Sequence, residues 1–132
     1  MDITYEIGKV PPVEKIVDLY QTSGINRPVI DFNRIEEMYK NSNLVVTAWD
    51  GKDLVGISRS LTDFSYCCYL SDLAVRNVFQ RKGIGKKLID LTKNQIGPKC
   101  MLLLLSAPGA MNFYPKIGFK KVENGFIINR LE

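Results

Sequence analysis

Tyr69-Leu70-Ser71-Asp72-Leu73-Ala74-Val75-Arg76-Asn77-Val78-Phe79-Gln80-Arg81-Lys82-Gly83-Ile84-Gly85-Lys86-Lys87-Leu88 is the stretch whose reading decides the fold. It reads as a strand, a basic loop, two glycines one residue apart and the first turn of a helix. The apolar stripe Ile84, Leu88, Leu91, flanked by Ile89 and Ile96, recurs at helical spacing, and Lys86, Lys87, Asp90 and Lys93 face water. Gly97-Pro98 ends the helix. The first turn of a helix has unpaired N–H groups and partial positive charge, so it can receive an anion. Glycine at positions 83 and 85 removes side chains that would keep a phosphate from those amides. A glycine-rich helix start with no ligand is the plainer alternative. Two nucleotide-binding patterns fail outright. A dinucleotide fingerprint needs a third glycine where Leu88 stands, and a Walker loop needs four residues between its glycines, where this chain has only Ile84.

Charge concentrates around the same stretch. Arg76 to Lys99 holds seven basic residues and one acidic residue, a +6 segment in a chain whose total is +4. Such a field suits an anionic partner, phosphate or nucleic acid, although a solvated lysine-rich face would give the same count.

Outward from this centre the elements alternate. Ile3 to Ile7 reads as a strand. Pro11-Pro12 opens a helix with Val13, Ile16, Val17 and Tyr20 on one face and Gly24 as its stop. Asp31 is a plausible N-cap for a second helix bearing Phe32, Ile35, Met38 and Tyr39, which Asn41-Ser42-Asn43 ends. Leu44–Trp49, Asp50-Gly51 and Leu54–Leu61 form a hairpin signal. The next strand, Tyr66 to Val75, should turn its odd-numbered residues to one face. Downstream, the apolar run Met101–Leu105 reads as a central strand covered on both faces. A short helix from Pro108 to Ile117 and strands near Phe119–Val122 and Gly125–Leu131 complete the order, which points to a mixed sheet with helices packed on it.

At 132 residues, 45% hydrophobic and 24% charged, the chain is expected to form one domain, residues 1–132. No apolar run approaches the length of a membrane-spanning helix, and no basic-then-apolar leader opens the sequence, so a soluble cytoplasmic protein is expected. Histidine is absent, which excludes His-based metal sites and Ser-His-Asp or Cys-His catalysis. The three cysteines, Cys67, Cys68 and Cys100, make neither a disulfide framework nor a C-x-x-C pair, and no metal site is expected. Proton transfer must therefore use Tyr, Asp, Glu, Lys, Cys, water or the substrate.

Two segments carry a resemblance. Gln80-Arg81-Lys82-Gly83-Ile84-Gly85 is similar to the Gln/Arg-x-x-Gly-x-Gly/Ala signature of the GNAT superfamily of N-acetyltransferases, and it follows a strand ending in Leu73-Ala74-Val75 as it does there. Phe113-Tyr114-Pro115-Lys116-Ile117-Gly118-Phe119 resembles the same family's Phe-Tyr-x-Lys-x-Gly-Phe motif. The likeness covers Leu44 to Phe119 well, and the earlier region agrees in pattern only. It implies an α/β (α+β) fold: a mixed, mostly antiparallel sheet of six to seven strands, about four helices, and fourth and fifth strands splayed apart.

It also implies acetyl-CoA as co-substrate, its pyrophosphate held by main-chain amides from about Arg81 to Lys86, next to Gln80, and its pantetheine arm paired with Leu73, Ala74 and Val75. An amide-rich arm suits an open strand edge on physical grounds alone. Tyr114 would protonate the departing thiolate, because tyrosine's ordinary pKa of about 10 lies above a thiol's, roughly 8.5. An aromatic packed on the last helix is the plainer reading of Tyr114. Two departures stand out. The family's asparagine seven residues before this tyrosine is Ala107 here, and Asn112 could replace it. The base is not marked by a motif; Asp72 and Tyr69 are candidates, as is a water chain, while Asp72 could instead pair with Arg76.

The acceptor would be a small-molecule or peptide amine. Residues 1–75 carry eleven acidic and seven basic side chains, which favours a cation. A non-catalytic acyl-CoA-binding sensor of the same fold is the competing reading. A nucleic-acid partner is disfavoured because no aromatic platform accompanies the basic segment. No membrane partner is expected, and a homodimer is compatible with the family's habits.

Overall fold

The computed structural model describes residues 2–132. Its elements are β1 (Ile3–Ile7), α1 (Val13–Ser23), α2 (Phe32–Lys40), β2 (Leu44–Asp50), β3 (Asp53–Thr62), β4 (Cys67–Val75), α3 (Ile84–Ile96), β5 (Met101–Leu103) and α4 (Phe113–Lys116), with single 3₁₀ turns at Asn77–Phe79 and Pro108–Ala110. Local chemistry sets several boundaries. Gly24 closes α1 in the left-handed region at φ +85°, where a side chain would be strained. The Asp31 carboxylate opens α2 by accepting the Arg34 N–H at 3.0 Å.

The sheet runs in the order β1-β2-β3-β4-β5. The first three pairs are antiparallel and β4–β5 is parallel. On one face α1 and α2 bury Ile16, Leu19, Tyr20 and Ile35 against Val45, Leu54, Ile57 and Ala74. On the other, α3 lays Ile84, Leu88 and Ile96 over Leu44, Val46, Val55 and Cys68. Apolar burial on both faces makes the sheet the middle layer of three.

One irregularity redirects the long fourth strand. Ser60 is opposite Leu70 and Arg59 is opposite Asp72, so Ser71 is an extra residue on β4. Such a bulge reverses which face the following residues occupy. Before it Tyr69 shares the α1/α2 face with Leu61; after it Asp72 and Ala74 share that face with Arg59 and Ile57. The strict odd-numbered face expected from alternation is therefore corrected: Leu73 and Val75 pack toward α3.

The sheet has five strands among the described residues, not six to seven. The missing ones are those expected at Phe119–Val122 and Gly125–Leu131, where the chain is irregular and exposed. Pairing, not local propensity, makes a strand, and this segment lies against no sheet edge. As a result β5 is an edge strand and not a buried central one, with Met101 55%, Leu103 37% and Leu105 64% exposed. The expected helix Pro108–Ile117 divides into a 3₁₀ turn and the four-residue α4.

Candidate functional site

A parallel pair that separates exposes backbone in the middle of a sheet. Here β4 and β5 pair only at Cys67–Met101, Cys68–Leu102 and Tyr69–Leu103. β4 continues to Val75, bonded to β3 along one edge, and from Leu70 onward its other edge has no strand beside it. The splay expected between the fourth and fifth strands is present, and the Leu73–Ala74–Val75 backbone lines it. Donors and acceptors of an open edge need partners, which an extended amide-bearing ligand can supply.

The basic loop closes one end of this gap. Gln80 does not reach outward; its side-chain amide donates to the Val75 carbonyl at 2.8 Å and the Ser23 carbonyl at 3.2 Å, tying the loop to the ends of β4 and α1. Arg81 takes a left-handed backbone at φ +64°. Gly83 follows at φ +84° and is the N-cap of α3, with no side chain capping the helix. The first helical bond runs from the Lys87 N–H to the Gly83 carbonyl at 3.0 Å, which leaves the N–H groups of Ile84, Gly85 and Lys86 without helical partners. A Cβ built on Gly83 would meet nothing within 4 Å, so the surroundings of this helix start are open. Ile84 itself is core, 2% exposed beneath the loop. Arg81 and Lys82 are exposed, whereas Lys86 folds along the helix to Asp90 at 2.8 Å.

The second motif joins the first through Gly85. A Cβ there would lie 3.6 Å from the Phe113 ring and 3.9 Å from Leu73 and Val75, so α4 rests against the start of α3 beside the gap. Tyr114 is half-buried and packs edge-on between Phe113, 5.1 Å away, and Phe119, 5.4 Å away. Burial pushes its phenol pKa up, which keeps the proton on. Asn112 is exposed immediately before α4, and its side chain makes no capping bond. Tyr114 also lines a groove of about 580 Å³ along β5, with Met101, Leu103, Leu105, Met111 and Val122.

The base candidates have different surroundings. Tyr69 is 37% exposed on the α1/α2 face beside the gap. Asp72, on the same face, is fully buried. It accepts from Arg59 Nε at 2.9 Å, Arg27 Nε at 2.8 Å, the Tyr20 hydroxyl at 2.6 Å and the Ser71 hydroxyl at 3.1 Å. Because Tyr20 donates to Asp72, the 2.5 Å contact between Tyr20 and Tyr39 is a bond donated by Tyr39. Arg27 also donates to the carbonyl of the bulged Ser71 at 2.8 Å. Burial would raise the Asp72 pKa, but the Arg59 bond and charge, then Tyr20 and Arg27, outweigh it and hold the carboxyl below its ordinary value. The Tyr20 phenol is raised by burial and by the neighbouring Tyr39 and Asp72. Asp72 therefore resembles a structural anchor more than a group waiting for a proton. It does not pair with Arg76, which donates to Asp18 at 2.9 Å.

The Arg27–Arg59–Tyr20–Tyr39 shell was not anticipated from sequence. Its one visible signal is Arg59, a charge in the middle of a strand otherwise made of apolar and small residues. A second cleft, about 600 Å³ between α1 and α2, holds none of the candidate residues. Among the described residues no three His, Cys, Asp or Glu side chains converge as a metal site, and no helix is long and apolar enough to cross a membrane.

Comparison with known proteins gives a consistent picture. The family model described as "Acetyltransferase (GNAT) domain" matches residues 18–131. A curated relative, an uncharacterized N-acetyltransferase (ycf52) of Pyropia yezoensis, is 27% identical over 107 residues; the match takes in 76% of this chain and 60% of that protein's length. A Staphylococcus aureus protein of unknown function, described as a probable acetyltransferase, superposes with TM-score 0.80 at 21% identity over 96% of this chain and 100% of its own. A GNAT-family acetyltransferase from Streptococcus pneumoniae gives 0.76 at 24% identity over 98% and 99%.

Proposed function

Because the chain belongs to the acetyltransferase (GNAT) domain family, we propose that it moves an acetyl group from acetyl-CoA to a primary amine within one ternary complex. The observation that carries this reading is the gap: β4 and β5 part after Tyr69–Leu103, and beside it the uncapped start of α3 meets Phe113, the neighbour of Tyr114, at Gly85.

Each part of the chain has a stated task. The N–H groups of Gly83 to Lys86 would hold the diphosphate, with Arg81 and Lys82 adding attraction. The free edge at Leu73–Val75 would pair with the amides of the pantetheine arm, and one of its N–H groups would polarise the acyl oxygen. Acetyl-CoA supplies an activated acyl carbon joined to sulfur. The amine nitrogen bonds to that carbon, the carbon–sulfur bond breaks, and the Tyr114 hydroxyl gives its proton to the departing sulfur. The surplus proton on nitrogen leaves to water or through Tyr69. Asp72 takes no part in that step, since its oxygens already accept from Arg59, Arg27, Tyr20 and Ser71. Asn112, two residues before Tyr114, would bond the arm in place of a side chain at Ala107. The net negative charge of residues 1–75 supports a cationic acceptor.

Titration calorimetry with acetyl-CoA tests the cradle. Gly83→Asn and Gly83→Asp both tolerate a left-handed backbone, so they differ mainly in charge. Asn should bind close to wild type and Asp at least about tenfold more weakly; equal affinities would refute the cradle. Thiol release across a panel of amines tests turnover. Tight binding with no release for any amine would favour a sensor.

A further inference from the structure

The α1/α2 face of the sheet is not covered to its end. Leu61, Tyr69 and Leu103 are direct neighbours across β3, β4 and β5, so their side chains stand on that face in one row. Leu61 is 41% exposed and Tyr69 and Leu103 are 37% exposed, and none of them belongs to the cores under α1, α2 or α3. Met101, two residues before Leu103 on the same face, extends the row and is 55% exposed. A contiguous exposed apolar surface marks a binding site more often than one scattered side chain does.

The row has a fixed place beside the gap. Tyr69–Leu103 is the last pair before β4 and β5 part, so the row ends where the open edge of β4 begins. Tyr114 is held from the other layer, because its neighbour Phe113 rests on Gly85 at the start of α3. With the proton donor on the α3 side of the acyl carbon, the α1/α2 side is left for the attacking nitrogen.

Charge next to the row narrows the occupant. Arg27 and Arg59 both bond the single carboxylate of Asp72, and they also bond the carbonyl and hydroxyl of Ser71, two residues from Tyr69. Two guanidiniums against one carboxylate leave an excess positive charge there, which repels a second ammonium group.

We propose that the acceptor is a primary amine with a single charge and an uncharged aliphatic or aromatic body, which lies along Leu61, Tyr69 and Leu103 while its nitrogen enters the gap. This names the substrate class within the transfer reading above and rests on it. The bond changes are those already given: nitrogen–carbon forms, carbon–sulfur breaks, sulfur takes the Tyr114 proton and nitrogen releases one to water. The apolar body gains by leaving water. A polyamine would gain less and would bring its second charge toward the guanidinium pair.

Thiol release from acetyl-CoA is measured with phenylethylamine, methoxyethylamine and spermidine. The kcat/KM for phenylethylamine should exceed that for either of the others by at least about tenfold. Leu61→Asp should lower it about tenfold for phenylethylamine and raise it for spermidine, a reversal that lost packing alone would not produce. Leu61→Met should keep the wild-type order. A wild type that prefers spermidine, or treats all three alike, overturns the inference and leaves acetyl transfer standing. In parallel, leucine methyl resonances are followed as phenylethylamine is added to the protein saturated with CoA. Shifts at Leu61 and Leu103 without thiol release for any amine would overturn the transfer reading and keep the row as an amine site. Neither shifts nor release would overturn both.

Discussion

Arg59 and Asp72 are direct partners across β3 and β4, and the guanidinium Nε reaches the carboxylate at 2.9 Å with the carboxylate wholly buried. A charge there is tolerable only because two guanidiniums and a phenol surround it. Asp72→Asn should cost about 3–5 kcal/mol, since it leaves Arg59 buried without its counter-charge. Urea unfolding at pH 7 measures this. A loss below about 1 kcal/mol would mean the pair contributes little.

The same carboxylate gives a pH dependence. Its folded pKa lies below the ordinary value, so the folded state binds its proton less readily than the unfolded chain does. Its contribution is full above the unfolded value of about 3.9 and is lost as pH falls through the folded one. The stability gap between wild type and Asp72→Asn should therefore be constant from neutrality to about pH 5 and shrink below about pH 4. A gap that widens on acidification would contradict the assigned direction.

Arg27 comes from the connection between α1 and α2 and is a quarter exposed, so its contribution is smaller. Arg27→Ala should cost about 1–2 kcal/mol and should loosen that connection. The proposed reaction would take its acceptor from the face that carries Tyr69, the same face as Asp72. The substitution should raise KM for the amine several-fold and leave acetyl-CoA affinity unchanged; equal effects on both would remove the connection from acceptor binding.

Tyr114→Phe keeps the ring packing with Phe113 and Phe119 and deletes only the hydroxyl. On the proposed chemistry kcat should fall by about 100-fold or more, while the dissociation constant of acetyl-CoA changes less than about twofold. Because burial raises this phenol's pKa, wild-type kcat should not decline near pH 9 through loss of the acid. An unchanged kcat in the variant would assign the proton to another donor.

Gly56 is tight against α3: an added Cβ would lie 3.1 Å from both Ile84 Cγ2 and Leu88 Cδ1. Gly56→Ala should destabilise by about 1–2 kcal/mol, because those side-chain ends must give way in a packed core. A neutral or raised melting temperature would show that the layer between β3 and α3 has slack.

Legibility in the sequence followed range. Asp31 as a cap and Gly24 as a stop act within a few residues and are found in place, whereas the hairpin turn expected at Asp50-Gly51 falls one residue later, at Gly51-Lys52, with Gly51 at positive φ. The loop at Gly83 and Gly85 and the Phe113-Tyr114 segment were readable as motifs, and Gly85 beside Phe113 shows that they meet. The shell around Asp72 was not readable because its partners Arg27 and Arg59 come from separate elements, 45 and 13 residues away. The Ser71 bulge has no composition signal, and without it Leu73 would be assigned to the wrong face. Phe119–Val122 and Gly125–Leu131 have strand composition, but no local rule says which edge they would need, and the sheet ends at β5.

Ser71 is the one residue of β4 that the ladder could do without: with it removed, Leu70 would still oppose Ser60, Asp72 would still oppose Arg59, and Leu73 and Val75 would keep their faces. A deletion between Asp72 and Val75 instead turns every residue beyond it to the opposite layer. Loss of Ser71 should therefore be accepted where loss of Leu73 or Ala74 is not, a contrast that a deletion scan of the gene would display.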